Sequence, residues 1–270
     1  MSTNTNPILF QAANIVAIVG SILFNALVNI LPLNGVTTGE VSNAYPNLFT
    51  PANYVFSIWG VIYTLLIVFT IFQARSSERN EDYLKQIGFL YLLGAIINIV
   101  WLTIFHYSYP PPNDLILLTT VPIFGLFLVL LLIYLRLGVG VNQVSRRVKL
   151  AVHLPLSVYL GWLSVATIAN TASVLNYIGR SPGIPQAIQE SWTAAVIVVA
   201  LIINLLILVR RRDFAFNLVF VWATVGIATK QSAIPIIYLV ALGTAAIVIV
   251  ALVLLPLLKR EKFSKFYLLS

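Results

Sequence analysis

The chain has no cysteine, a single methionine and two histidines, and only 8 of its 270 residues are Asp or Glu. Without cysteine there is no disulfide, no thiolate metal site and no thiol nucleophile. Charged residues make up 9% of the chain, where about 25% is usual for a soluble domain. That is too little charge to cover a soluble enzyme of this length. No carboxylate lies deep in an apolar run, so there is no pair for general acid–base work and no intramembrane proton relay. Asp114 and Glu190 sit at predicted helix starts, where a carboxylate suits the positive dipole end. His106 and His153 fall near ends of different apolar runs on opposite sides of a membrane, so they cannot share a metal ion. The sequence has no phosphate-binding loop, nucleophile elbow or HExxH, which leaves ATP-driven transport and hydrolysis without residues to perform them. The N-terminus lacks a basic region and the first apolar run exceeds a signal-peptide core, so no cleavable signal is expected.

What fills the chain instead is hydrocarbon. Hydrophobic residues account for 60%, against about 45–50% in soluble domains. A spanning helix needs about 20 mostly apolar residues. Eight runs approach that length: Ile8–Leu33, Tyr54–Phe72, Ile87–Tyr107, Leu115–Leu135, Leu150–Asn176, Trp192–Val209, Phe214–Thr229 and Ala233–Leu258. Their continuity reads as helix, because barrel strands alternate and need only about 10 residues. The expected fold is an all-α polytopic membrane protein. The seventh run is short, so it either crosses a thinned bilayer or is partly re-entrant. With the N-terminus inside, every Lys and Arg except Arg180 and Lys230 falls on an inner loop or the inner tail. The positive-inside rule therefore predicts both termini in the cytoplasm. The net charge of +8 is spread in small clusters between apolar runs, which does not suggest nucleic acid. The partner it implies is a lipid bilayer, with a bacterial plasma membrane as the expected location.

Residues 34–53 form the longest connection, on the outer side. It is longer than a connection needs, which suits either a lid or a plain surface loop. Polar residues within the spans each need a partner. Asn14, Ser21, Asn25 and Asn29 share one face of the first span. That stripe reads as interhelical hydrogen bonding or as a ligand-facing surface. Asn98 and Asn170 are single amides near mid-membrane. Trp192 suits an interfacial belt, but Trp162 lies about 18 Å into the fifth span. Trp59 and Trp101 lie a few residues below the outer ends of the second and third spans. The three are expected to meet in the outer half of the bundle. Flat aromatic walls with a few amides suit a large planar apolar ligand, and an aromatic packing core is the rival reading.

The fifth span reads Tyr159-Leu-Gly-Trp162-Leu-Ser-Val-Ala-Thr167-Ile-Ala-Asn170. It resembles the Y-L-A-W-V-x-F-A-T-x-L-N signature of the tryptophan-rich sensory protein family, also called translocator protein or peripheral benzodiazepine receptor. The second span, from Pro51 through Phe56 and Trp59 to Tyr63, is similar to the family's P-P-x-W-V-F-x-P-V-W-x-x-L-Y. It is one residue shorter between Phe56 and Trp59, and Tyr54 stands where Trp is usual. Asn98-Ile-Val-Trp101-Leu-Thr-Ile-Phe105 is similar to N-L-x-W-x-x-x-F. The family's W/Y-x-x-L-x-K-P-x-W loop run is missing, with Tyr45, Pro46 and Phe49 as its remnants.

The resemblance covers about residues 8–177 and implies a five-helix bundle with a pocket closed by the first loop. It divides the chain into a core over 1–177 and a three-helix C-terminal membrane extension with a basic tail over 178–270. Family members bind porphyrins, and some bind sterols or benzodiazepine-type drugs. The pocket positions implied are Trp59, Asn98, Trp162 and Ala166, with Tyr63, Trp101, Phe105 and Tyr159 beside them. The resemblance also implies a homodimer and a role in stress signalling. No resident cofactor is expected, and porphyrin would be a ligand. Three readings of function follow: a binding and sensing protein for a tetrapyrrole or similar ligand, a small-molecule transporter or exporter, and a Trp-dependent porphyrin-degrading enzyme. The last has the least support, since no acid, base or metal accompanies the tryptophans.

Overall fold

A computed structural model describes residues 7–180 and 183–258. The basic tail residues Lys259, Arg260, Lys262 and Lys265 lie outside the described residues. Eight long helices follow one another: α1 Pro7–Ile30, α2 Ile58–Gln73, α3 Leu90–Tyr107, α4 Thr120–Arg136, α5 Leu154–Ile178, α6 Gln186–Arg211, α7 Phe214–Lys230 and α8 Pro235–Leu258. With the short turns that lead into α2, α4 and α5, seven segments are long and apolar enough to cross a membrane. Helix α7, at 17 residues, is the shorter eighth. The protein is an all-α polytopic membrane protein.

Five helices close a ring in the order α1, α3, α4, α5, α2 and back to α1. Helix α7 packs on the outside of α5, α8 on α7, and α6 on α8 and α7. Helix α5 therefore packs against α2, α4 and α7: its most apolar stretch is 78% buried, where the other spans bury 28–39%. Its small residues permit this. A Cβ on Gly161 would lie 3.2 Å from the Phe216 carbonyl oxygen, so α7 approaches to backbone contact, as small residues allow between membrane helices.

The two ends of α7 meet opposite faces of the bundle. Asp213, which precedes it, caps the helix by accepting from the Phe216 N–H, and accepts from the Tyr134 hydroxyl at the end of α4. Lys230, at its other end, donates to Asn43 in the first loop. A 17-residue helix is about 26 Å long, close to a hydrocarbon core of about 30 Å. The short run is thus a single unbroken helix that reaches from one face of the bundle to the other.

The first loop is folded. It holds a short helix, Thr38–Ala44, opened by a capping box in which Thr37 and Glu40 satisfy each other's backbone N–H groups. Those hydrogen bonds hold the exposed Glu40 carboxyl below its usual pKa, the Thr37 backbone N–H first. The loop then lies across one end of the ring. Tyr45, only 3% exposed, donates its hydroxyl to the Ser108 carbonyl beyond α3. Burial pushes the Tyr45 hydroxyl pKa up, so it stays a donor.

Candidate functional site

Within the ring, Trp59 and Tyr63 are one helical turn apart on α2, and Tyr159 and Trp162 are three residues apart on α5, so each pair shares a face. The two faces meet. The Trp59 ring lies 5.5 Å from Tyr63 in a stacked arrangement, 6.1 Å from Tyr159 and 6.2 Å from Trp162, both edge-on. Phe56 closes on the far edge of Trp162 at 5.8 Å. Such offset and edge-to-face contacts are the favoured aromatic geometries. Trp162 is 2% exposed, and its indole N–H has no acceptor.

A second aromatic group forms nearer the lid. Trp101 and Phe105 stack at 5.2 Å on α3, and the Trp101 indole donates to the Asn170 amide oxygen. Asn170 in turn donates to Thr119. Asn170 is eight residues beyond Trp162 on α5, about 12 Å along the helix axis. The expectation that Trp59, Trp101 and Trp162 meet in one place therefore needs correction. Trp59 and Trp162 touch, while Trp101 belongs to a separate layer, because its register on α3 faces Asn170, in the part of α5 nearer the first loop. Ala166 sits half-buried between the two layers in sequence and packs on the core.

Asn98 faces α1, where its amide oxygen accepts from Asn25 at 2.7 Å. Asn29, one turn on, accepts from the Thr38 N–H of the lid helix. The polar stripe of α1 thus acts in helix pairing at Asn25 and in lid anchoring at Asn29. Asn14 differs, being fully buried with neither amide atom partnered. Asn25→Leu is expected to cost about 0.6–1.7 kcal/mol, the span measured for hydrogen bonds between membrane helices. Thermal unfolding in detergent, with Asn98→Leu and the double variant, checks this. Coupling between the two sites should account for most of either single loss.

A small recess inside the ring, about 20 Å³ in volume, is lined by Ser21, Asn25, Trp59, Tyr63, Tyr91 and Tyr159. That is room for about one water. Trp59 and Tyr63 are only half-buried, and they stand beside the seam between α1 and α2. Helix α2 is the least tightly held member of the ring, since its contacts with α1 and with α5 are both much sparser than those of α3 with α1 or α4.

The lid carries residues that the sequence alone does not single out. The Asn47 amide oxygen accepts from the Phe49 and Thr50 N–H groups, and its nitrogen donates to Thr50 and to Ser173 of α5. Asn176 donates to the Pro46 carbonyl. The only local trace of this is an Asn two residues before a turn, which is common in loops. Past Thr50, the chain docks on α7: the Ala52 N–H donates to the Gly226 carbonyl, and the Trp222 indole donates to the Val55 carbonyl. Asp213, buried where α4, α5 and α7 converge, is a further unforeseen residue. Burial pushes its carboxyl pKa up against the hydrogen bonds it accepts. An Asp directly before an apolar run is the one sequence signal for it.

No curated protein and no solved structure matches the chain. The model of one family, that of the TSPO-like proteins, matches residues 11–254, from the first turn of α1 nearly to the end of α8. The aromatic layers of α2, α3 and α5, the loop folded over their end and this match over nine-tenths of the chain place the protein in the TSPO-like family.

Proposed function

We propose that this protein binds a planar apolar ligand of the tetrapyrrole type inside the five-helix ring and acts as a membrane binding and sensing protein. The observation that carries this reading is Trp162. Its indole N–H is a buried donor with no acceptor, set in a wall made of Phe56, Trp59 and Tyr159. An unpaired buried donor costs about 1–3 kcal/mol, and a ligand carbonyl or carboxylate would relieve that. Tyr63, Asn98, Trp101, Phe105 and Ala166 complete the ligand's surroundings in this reading.

The ring is closed in this structure, with room for about one water. Ligand entry therefore requires Trp59 and Tyr63 to swing out at the α1–α2 seam. That opening supplies the two states a sensor needs, since a ligand shifts a population only by binding one state better. The same reading puts both termini in the cytoplasm of a bacterial plasma membrane, and treats residues 178–270 as an extension that buttresses the core. A homodimer is part of it as well.

The test is tryptophan fluorescence of the purified protein titrated with protoporphyrin IX, with Trp162→Phe alongside. Saturable quenching is expected, with Kd raised about two- to twelvefold in the variant, from about 0.5–1.5 kcal/mol for the one hydrogen bond the indole N–H would give the ligand. Quenching that never saturates, or a Kd that the variant leaves unchanged, overturns the assignment. Transport and porphyrin breakdown are separable outcomes. The first would appear as flux into proteoliposomes, the second as loss of the porphyrin absorption band beyond one equivalent.

A further inference from the structure

Helices α5 and α6 follow one another in the chain but hardly touch, because α6 packs on α8 and α7 instead. Between them, with α4 as the floor, runs a groove of about 930 Å³. It begins under the lid at Asn47 and Asn176 and ends on the opposite face at Tyr134 and Arg211. From Ile188 to Arg211 it follows α6 for about 35 Å, the depth of a bilayer's hydrocarbon core. Its walls are almost entirely apolar along that length. None of the eight aromatic-chamber residues lines it, so the groove is a separate site.

The two ends of the groove differ in charge. At the lid end, Asn47 is bound to Ser173, and Asn176 to the Pro46 carbonyl and to Gln189, so that end is neutral and internally satisfied. The other end is basic. Arg211 donates to the Val139 carbonyl and lies 5.1 Å over the Tyr134 ring. Arg136 and Arg210, next in sequence to the groove-lining Leu135 and Arg211, are exposed. Among the described residues, the ion pairs within 4 Å are Lys85 with Asp82 and Arg180 with Asp114, and neither involves Arg136, Arg210 or Arg211. The one carboxyl built into this end, Asp213, is buried and already accepts from the Tyr134 hydroxyl and the Phe216 N–H.

We propose that the groove between α5 and α6 holds one anionic glycerophospholipid of the surrounding bilayer, its acyl chains along the apolar walls and its phosphate at Arg136, Arg210 and Arg211. Hydrocarbon fills such walls better than water does, and the charge asymmetry fixes which way the lipid points. A lipid seated there takes the place of the direct packing that α5 and α6 lack.

The test is native mass spectrometry of the full-length, delipidated protein titrated with phosphatidylglycerol or phosphatidylcholine. One phosphatidylglycerol per chain is expected. Removing Arg136 and Arg210 as Arg136→Gln/Arg210→Gln should weaken it about 25-fold, at about fivefold per basic residue at a membrane surface. Phosphatidylcholine should be far less affected. Ala172→Phe, which projects into the groove, should weaken both lipids, and Ile168→Phe probes the same space if that variant does not fold. Equal retention of the two lipids by the wild type overturns the headgroup assignment. Retention unchanged by both filling variants overturns the site. Loss of bound lipid on forming a dimer would assign the groove to a second copy of this chain.

Discussion

Trp162→Ala is expected to lower stability by about 3–5 kcal/mol, the range for removing a large aromatic side chain from a packed core. For a chain of this size that is a fall in Tm of roughly 6–20 °C in detergent. The side chain is 2% exposed and touches both Phe56 and Trp59, so its loss leaves a cavity at the centre of the ring. Trp162→Phe should behave differently. It keeps a ring against both neighbours and deletes an N–H that has no acceptor. The lost contact and the removed desolvation penalty then largely offset each other, and Tm should stay near that of the wild type. This contrast makes Trp162→Phe a fair probe of ligand binding. If both variants melted together, the packing account of Trp162 would be wrong.

Gly140→Ala is expected to be as severe, for a different reason. Gly140 has φ of 76°, and a Cβ there would collide with the Arg211 backbone oxygen. Backbone cannot rotate away as a side-chain tip can. The left-handed conformation costs an alanine about 1–2 kcal/mol, and forcing the α4–α5 connection off the end of α6 adds about 1–3 kcal/mol. Gly35 provides the control. It has the same φ of 76°, but nothing lies within 4 Å of its added Cβ. Gly35→Ala should therefore show the conformational cost alone. Unfolding midpoints of the two variants, measured side by side, isolate the clash. Equal midpoints would mean the contact between the connection and α6 is slack.

Much of this architecture is legible in the sequence, because a membrane demands long continuous apolar runs. The eight helices fall where hydropathy and basic residues put them, within a few residues at most ends. The sixth is the main exception. It begins at Gln186, so Glu190 and Trp192 lie one to two turns inside it. A polar first turn hides a helix start from a hydropathy reading. Pairwise geometry was readable only within a helix. Trp59 stacks on Tyr63 and Trp101 on Phe105 at i, i+4 spacing, but rotation and axial offset between helices put Trp101 beside Asn170 and away from Trp162. The groove had no local signature, and the Asp213 cluster had only an Asp directly before an apolar run. Both arise from which helices become neighbours, and a run of Leu, Ile and Val on α6 looks the same whether it faces α5, α8 or lipid.

The docking of the first loop on α7 has a consequence for biosynthesis. Ribosomes release the Val55 segment early, whereas its partner Trp222 emerges 167 residues later. Five helices can insert and associate in that interval, but the segment's backbone has no α7 to bond to. The Ala52–Val55 segment must therefore wait, solvated or held by other contacts, until the seventh helix enters the bilayer. A chain arrested after α5 can already seat Tyr45, Pro46 and Asn47 on Ser108, Asn176 and Ser173, but it leaves this segment undocked. Protease added to the side of that loop should cut near Pro51 in the arrested chain while sparing the finished one.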